Sequence, residues 1–438
     1  MRGLLVALLI LGWIPVAAFK PYIGVLVWNW VSHMSPHSYT YNFSATFPFL
    51  VVVAGATVMG IVFSKEKNKI PGHPLIFMML IYWLWIVITT ITAFEPAYSQ
   101  GKLIHMSKVM AFALISTMVM QSPSRLKGYV WVMIASFSFI SVKGGVFTVL
   151  TGGAAHVQGA GGMMGDNNQL AMVLSMFLPL AMYIAQHPPL PLLKWPLIGA
   201  AFAVPISILG TQSRGGLAAL AAVTFMLILK TNRKFTILFT IAIVGMAGFT
   251  FMPDAWKARM QSTETAATDD GSFRGRVSMW RFSASLADAN PVQGGGFNIF
   301  YVRRAQELYM PSGFTPRAPH SIYFEVLAEH GYTGLTLFLT LIFSGWYTGG
   351  TQAKRYRAYE ETKWIGDLCA ALQLSFVGFA AGGLTVNIAT LDVFYHMLGI
   401  LVMSSVVGEK LLQRSLTEVK SKSIFDGTGS ATEKWRPR

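Results

Sequence analysis

Runs of about 20 apolar residues recur along this chain from end to end, each long enough to cross a hydrocarbon core of about 30 Å as a helix. The pattern predicts spans at 43–63, 74–94, 103–120, 127–149, 168–185, 192–210, 214–230, 234–252, 319–349, 363–388 and 391–408. Two shorter runs, 3–18 and 21–34, are split by Lys20-Pro21 and read as one net crossing by a broken helix pair. A cleaved signal peptide is the alternative there, since Val16-Ala17-Ala18 offers small residues, although Arg2 alone makes a thin basic head. Lipid gives the backbone no hydrogen-bond partners, so an all-α polytopic membrane protein with about twelve transmembrane helices follows.

Composition agrees. Hydrophobic residues make up 53% and charged residues 12%, and the mean hydropathy is +0.50, where soluble domains carry about 25% charge. The single cysteine, Cys369, forbids a disulfide within one chain. The net charge of +15 sits in loops and is a topology signal first, with no nucleic-acid partner implied. Basic residues gather at Lys65, Lys67 and Lys69, at Arg125 and Lys127, at Lys230, Arg233 and Lys234, at Lys354, Arg355, Arg357 and Lys363, and in the tail after 409. These loops alternate, which places them and both termini in the cytoplasm. Four polar stretches then share the far side: 95–102, 150–167, 210–213 and 253–318. The chain divides into N-terminal transmembrane helices over 1–252, a far-side loop over 253–318, C-terminal transmembrane helices over 319–410 and a cytoplasmic tail over 411–438.

The long far-side loop has aromatic material to pack, including Trp256, Phe273, Trp280, Phe282, Phe297 and Phe300, which a disordered linker lacks. Residues 276–289 read as an amphipathic helix, ended by Pro291-Val-Gln-Gly-Gly-Gly296. Arg274, Arg276, Arg281, Arg303, Arg304 and Arg317 lie on the side that basic residues avoid. Arginine forks suit phosphate oxygens; pairing with Asp269, Asp270, Asp288 and Glu307, or with anionic headgroups, is the plainer reading. Arg214, in Gly210-Thr-Gln-Ser-Arg-Gly-Gly216, stands at a loop-to-helix junction between two spans, where a charge is costly and functional by default. Lys102, His105, Lys108 and Lys143 occupy the outer halves of two spans and face either a wet site or carboxylates such as Glu95, Asp166, Glu325, Glu329 or Asp392. Asp392 and His396, four apart, could bond each other.

Pro319-His320-Ser321 opens the span after the loop. An imidazole at a helix N-terminus beside arginines has its pKa pushed down and stays available as a base at neutral pH; an interfacial histidine bonded to a carbonyl is the plainer reading. Helix geometry sets Glu329 and His330 about 15 Å further down and Glu329 on the opposite face, away from that site. There is no His-Glu-x-x-His, cysteine cluster, Asp-x-Asp, Walker, Gly-x-Gly-x-x-Gly or Gly-x-Ser-x-Gly pattern, so metal, nucleotide-driven and serine-hydrolase chemistry lose support. Several cations and a base on one membrane face fit a group transfer with a membrane-held phosphate or diphosphate as leaving group.

The twelve-span layout, the large far-side loop, Ser213-Arg214-Gly215-Gly216, Arg276-x-x-x-Trp280 followed by Asn290-Pro291-x-x-Gly294-Gly-Gly296, and Pro319-His320-Ser321 with Glu329-x-Gly331-x-x-Gly334 resemble the bacterial O-antigen ligase family. The resemblance runs over nearly the whole chain and extends to the O-glycosylation ligase variant of that family. It implies a GT-C-like fold and a metal-independent, inverting glycosyltransferase without cofactor at the periplasmic face of the bacterial inner membrane. The donor would be an undecaprenyl-diphosphate-linked glycan and the acceptor a hydroxyl of lipid A core oligosaccharide, giving lipopolysaccharide. His320 would be the catalytic histidine, with Arg214 and Arg276 holding the diphosphate; Arg274, Arg303, Arg304, Lys102 and Asn168 are further candidates by position alone. An O-antigen polymerase or a protein O-oligosaccharyltransferase would use the same donor. A transporter would need two related halves and mid-membrane broken helices, and a non-catalytic scaffold would tolerate loss of His320.

Overall fold

The computed structural model describes residues 2–231 except 67, 160, 162 and 163, isolated positions between 234 and 246, and residues 271–425. The predicted span 234–252, Trp256, Asp269, Asp270, Lys67, Arg233 and the end of the tail lie outside the described residues or among isolated positions. The described residues are helical and carry no strand. The helices are α1 (Arg2–Leu11), α2 (Ile14–Phe19), α3 (Pro21–Met34), α4 (Phe49–Phe63), α5 (Pro74–Ile91), α6 (Pro96–Val119), α7 (Pro123–Leu150), α8 (Asn167–Gln186), α9 (Lys194–Gly210), α10 (Arg214–Lys230), α11 (Gly271–Ala289), α12 (Arg303–Tyr309), α13 (Ile322–Arg357), α14 (Lys363–Gly382) and α15 (Asp392–Phe425). Among the described residues, nine helices are long and apolar enough to cross a membrane. The outer surface is apolar, with Phe19, Val62, Phe63, Phe77, Ile91 and Leu150 exposed, as lipid requires and water does not tolerate over large patches. This is a multi-pass membrane protein.

Proline starts several helices, at Pro21, Pro74, Pro96 and Pro123, where its fixed φ and missing N–H cost nothing. Helix α8 is the axis of the bundle: residues 170–181 are all buried, as befits a helix that is apolar all round. Around it pack α9, α10 and α14, and α14 lies along α13.

Polar contacts sort the loops into two ends. At one end Arg125 pairs with Glu66 (2.6 Å), Arg355 with Glu409 (2.7 Å) and Arg357 with Asp367 (2.6 Å). At the other, Val157 N–H donates to Gly210 O (2.9 Å), Phe94 N–H to Gly295 O (3.0 Å) and Ile322 N–H to Gly383 O (2.8 Å). The far-side stretches thus share one end of the bundle.

Several boundaries differ from expectation: α6 starts at Pro96 rather than 103 and α7 at Pro123 rather than 127. The span expected from 43 is broken by Phe47 and Pro48, with a one-turn helix over Phe43–Thr46 and α4 starting at Phe49. The span predicted to 388 ends at Gly382, and residues 383–391 form a non-helical segment that returns into the polar end; its apolar composition disguised it. Helix α13 starts at Ile322, so His320 precedes the helix rather than lying inside it. Asp392 accepts from Ser32 Oγ (2.5 Å) and His396 Nδ1 meets His33 Nε2 (3.3 Å), instead of bonding each other.

Candidate functional site

The polar end is built around a break in α13. Gly331 has φ +68 inside the helix, so the carbonyls before it lose their helical donors, a heavy cost at membrane depth. The Pro291–Gly296 segment supplies replacements. Gly295 N–H donates to Ala328 O and Gly296 N–H to Glu329 O, both at 2.8 Å, while Tyr332 N–H donates to Pro291 O (2.8 Å). Trp85 Nε1 donates to His330 O (3.1 Å). A Cβ on Gly294, itself at φ +67, would lie 2.5 Å from Gly331 N. The glycines of the two motifs are therefore one joint between loop and helix.

Helix α11 is held against the start of α13 by Trp280. Its indole stacks on Phe324 (ring centroids 5.0 Å, 8°) and its Nε1 donates to Pro319 O (2.9 Å). Arg276 lies one turn before Trp280 and shares its face. The Arg317 side chain packs over Gly275, where a Cβ would come within 2.7 Å of Nη1.

Between these anchors His320 is half-buried in the left-handed region, φ +48. Histidine adopts it more readily than most residues, but it remains uncommon, and such outliers cluster where surrounding structure holds a functional group in place. Burial lowers the His320 pKa below the ordinary imidazole value; Arg276 and Arg317 push the same way, and Asp166 opposes them. The expected direction holds, with burial rather than a helix dipole as the first cause.

Arg214 opens α10 and is half-buried. Ser213 Oγ caps this helix by accepting from Gly216 N–H (3.0 Å) and donates to Asn168 Oδ1 (2.7 Å). Gly215 fits against Thr385, whose Oγ1 a Cβ would meet at 1.9 Å. The turn after Gly382 thus touches the Arg214 helix start and, through Gly383 O, Ile322 two residues from His320. Arg274 is exposed on α11. Arg303 pairs with Glu307 (2.8 Å), as in the plainer reading, and Arg304 lies over the Phe94 ring (5.9 Å). Lys143 lies over the Tyr39 ring (4.1 Å).

Lys102 is committed to carboxylates. Its Nζ donates to Glu325 Oε1 (2.7 Å), Glu329 Oε1 (2.8 Å) and Glu329 Oε2 (3.0 Å). Glu329 Oε1 also accepts from Asn298 N–H (2.9 Å), and Glu325 Oε2 from Ala389 N–H (3.0 Å). The triad ties α6, α13, the 297–301 turn and the 383–391 segment together, and it bounds a cavity of about 400 Å³ whose walls include Pro319. The expectation that Glu329 stands apart from the Pro319 region is therefore corrected: Glu325 and Glu329, four apart on one helix face, both reach the cavity beside it. Sequence reasoning missed Gln169, Asn298 and Asn387, which line the same space; positive φ at Gln212, Asn298 and His320 alike has no signature in residue order.

Residues 199–339, which hold Arg214, Arg276 and His320, match the family described as O-Antigen ligase. Residues 199–339 belong to the O-antigen ligase family. The O-antigen ligase region contains α10, α11, His320 and the Gly331 break, whereas Lys102 and Asn168 lie in residues 1–189, which match a family of unknown function. No curated protein matches the chain.

Proposed function

We propose that this protein is an O-antigen ligase in the full sense: it transfers a glycan from undecaprenyl diphosphate to a hydroxyl of lipid A core oligosaccharide. The reaction runs at the periplasmic face of the bacterial inner membrane. The observation that carries this reading is the left-handed His320, flanked by Arg276 and Arg317 and lying within the O-antigen ligase match. Residues 1–252 and 319–410 form the transmembrane part, 253–318 the periplasmic loop and 411–438 a cytoplasmic tail.

His320 takes the proton of the acceptor hydroxyl as its oxygen bonds the anomeric carbon. The bond from that carbon to the diphosphate breaks on the opposite face, its electron pair leaving with the diphosphate, so configuration inverts. A positioned base contributes about 10²- to 10⁴-fold. Arg276 and Arg214, with Arg274 at the rim, hold the diphosphate and stabilise the charge that grows on it. A low His320 pKa suits a base, since the neutral ring persists near neutrality. Lys102 is left out of the diphosphate set because its three donors already meet carboxylates.

The test offers purified protein a lipid-diphosphate glycan with lipid A core, a second glycan or a pilin-like protein as acceptor. Product on lipid A core supports the ligase; product only on glycan or protein replaces it with a polymerase or a protein O-oligosaccharyltransferase.

A further inference from the structure

The cavity beside Pro319 differs chemically from the arginine side of the site. Its charged wall holds two carboxylates and one ammonium, and that ammonium is hydrogen-bonded to both carboxylates. The ammonium is thus already committed, so the wall offers a diphosphate no further cation, while Lys102 between the carboxylates occupies the position a bound cation would need. A neutral ligand rich in hydroxyls suits it. Among the described residues Glu325 Oε1, Glu325 Oε2 and Glu329 Oε2 each accept one hydrogen bond, and a carboxylate oxygen has room for two. The remaining wall adds the amides of Gln169, Asn298 and Asn387, which both donate and accept. The Tyr301 ring, 53% exposed, offers a flat face for the apolar side of a pyranose. At about 400 Å³ the space falls in the range of small-molecule sites, about 300–1,000 Å³.

We infer that this cavity, walled by Glu325, Glu329, Gln169, Asn298 and Asn387, is a subsite for a neutral sugar ring, one residue along the chain from His320. The inference rests on the glycan-transfer reading and adds to it a division of the site into an anion side and a sugar side. The ring belongs either to the acceptor or to the first residue of the donor glycan.

Part of the wall is held in place by the protein itself: Lys102 bonds both carboxylates and lies over the Phe297 ring (5.1 Å), and Asn298 Nδ2 donates to Tyr98 O (3.0 Å). Such preorganisation lowers the cost of binding.

The experiment uses the full chain in lipid nanodiscs, with saturation-transfer NMR of methyl glucoside and methyl N-acetylglucosaminide, and with inorganic pyrophosphate as the second probe. Asn387→Trp and Gln169→Trp fill the cavity from different walls. Each is expected to weaken sugar binding about ten-fold or more, a loss of about 1.4 kcal/mol, while pyrophosphate binding is retained, which also reports that the variants fold. Unchanged sugar binding in both variants overturns the inference. In turnover, a raised KM for the acceptor assigns the ring to the acceptor, and weaker retention of the glycan-bearing lipid than of the bare lipid diphosphate assigns it to the donor. If the wild type transfers no glycan but both variants still lose sugar binding, the subsite stands and the ligase reading falls.

Discussion

Trp280 Nε1 donates to the Pro319 carbonyl at 2.9 Å, and this bond fixes the peptide that leads into His320. Through it the amphipathic helix α11 sets both the arginine at its own surface and the backbone of the histidine. One helix thereby ties the placement of Arg276 to that of His320.

Trp280→Phe keeps an aromatic ring against Phe324 and removes the donor. A net hydrogen bond is worth about 1 kcal/mol, so transfer is expected to slow by roughly five- to ten-fold at unchanged protein level. Single-turnover rates with saturating donor measure this; an unchanged rate would separate α11 from the positioning of His320.

His320 has a lowered pKa, by burial first and then by Arg276 and Arg317. On the proposed role as base the neutral ring is the active form, so transfer is expected to hold at neutral pH and to fall only below the ordinary imidazole value of about 6.5. Arg276→Gln removes a lowering charge and moves the acid limb upward. The same sign governs stability: below about pH 6.5 the unfolded chain takes up a proton that folded His320 resists, so acid favours unfolding. A pH–rate profile whose acid limb lies above 6.5 in the wild type would contradict the assignment.

Lys102→Met leaves Glu325 and Glu329 buried, with side chains 4% and 2% exposed, and without their cation. Breaking a buried ion pair from one side costs about 3–5 kcal/mol. Thermal unfolding should show a clear drop, partly recovered when Glu329→Gln is added. Had Lys102 served only the donor, the single variant would unfold like wild type and lose donor retention alone.

Gly331→Ala places a Cβ 2.5 Å from Val292 O at a residue with φ +68. Strain and steric conflict should open the joint between α13 and the 291–296 segment. Limited proteolysis is expected to cut near that segment faster than in wild type.

Much of this was legible in residue order, for definite reasons. Apolar length located most of the spans, nine of which are long and apolar enough to cross among the described residues where about twelve were expected; the starts at Pro96 and Pro123 were placed too late, at 103 and 127, because the polar first turns hide them. The alternation of basic loops grouped 95–102, 150–167 and 210–213 with the long loop, and hydrogen bonds between these stretches join them at one end. The helix carrying Arg276-x-x-x-Trp280 was visible from its apolar periodicity, although that periodicity set Arg276 apart from the Trp280 face. What composition conceals is backbone that leaves the helix while remaining apolar: the 383–391 segment looks like the end of a span, yet it brings Asn387 and the Ala389 N–H to the site. The partner of Lys102 was open among five carboxylates, because the choice depends on how α6 packs against α13. Left-handed geometry at His320 is imposed by the Pro319 and Ile322 anchors on either side, and neither is local in sequence.

The central claim is that His320 acts on the acceptor proton while the arginines hold the diphosphate. Transfer and donor retention are to be measured together in proteoliposomes for wild type, His320→Ala and Arg276→Ala. The account predicts that His320→Ala loses transfer by about 10²-fold or more with donor retention intact, and that Arg276→Ala loses donor retention. Transfer at the wild-type rate by His320→Ala would contradict it.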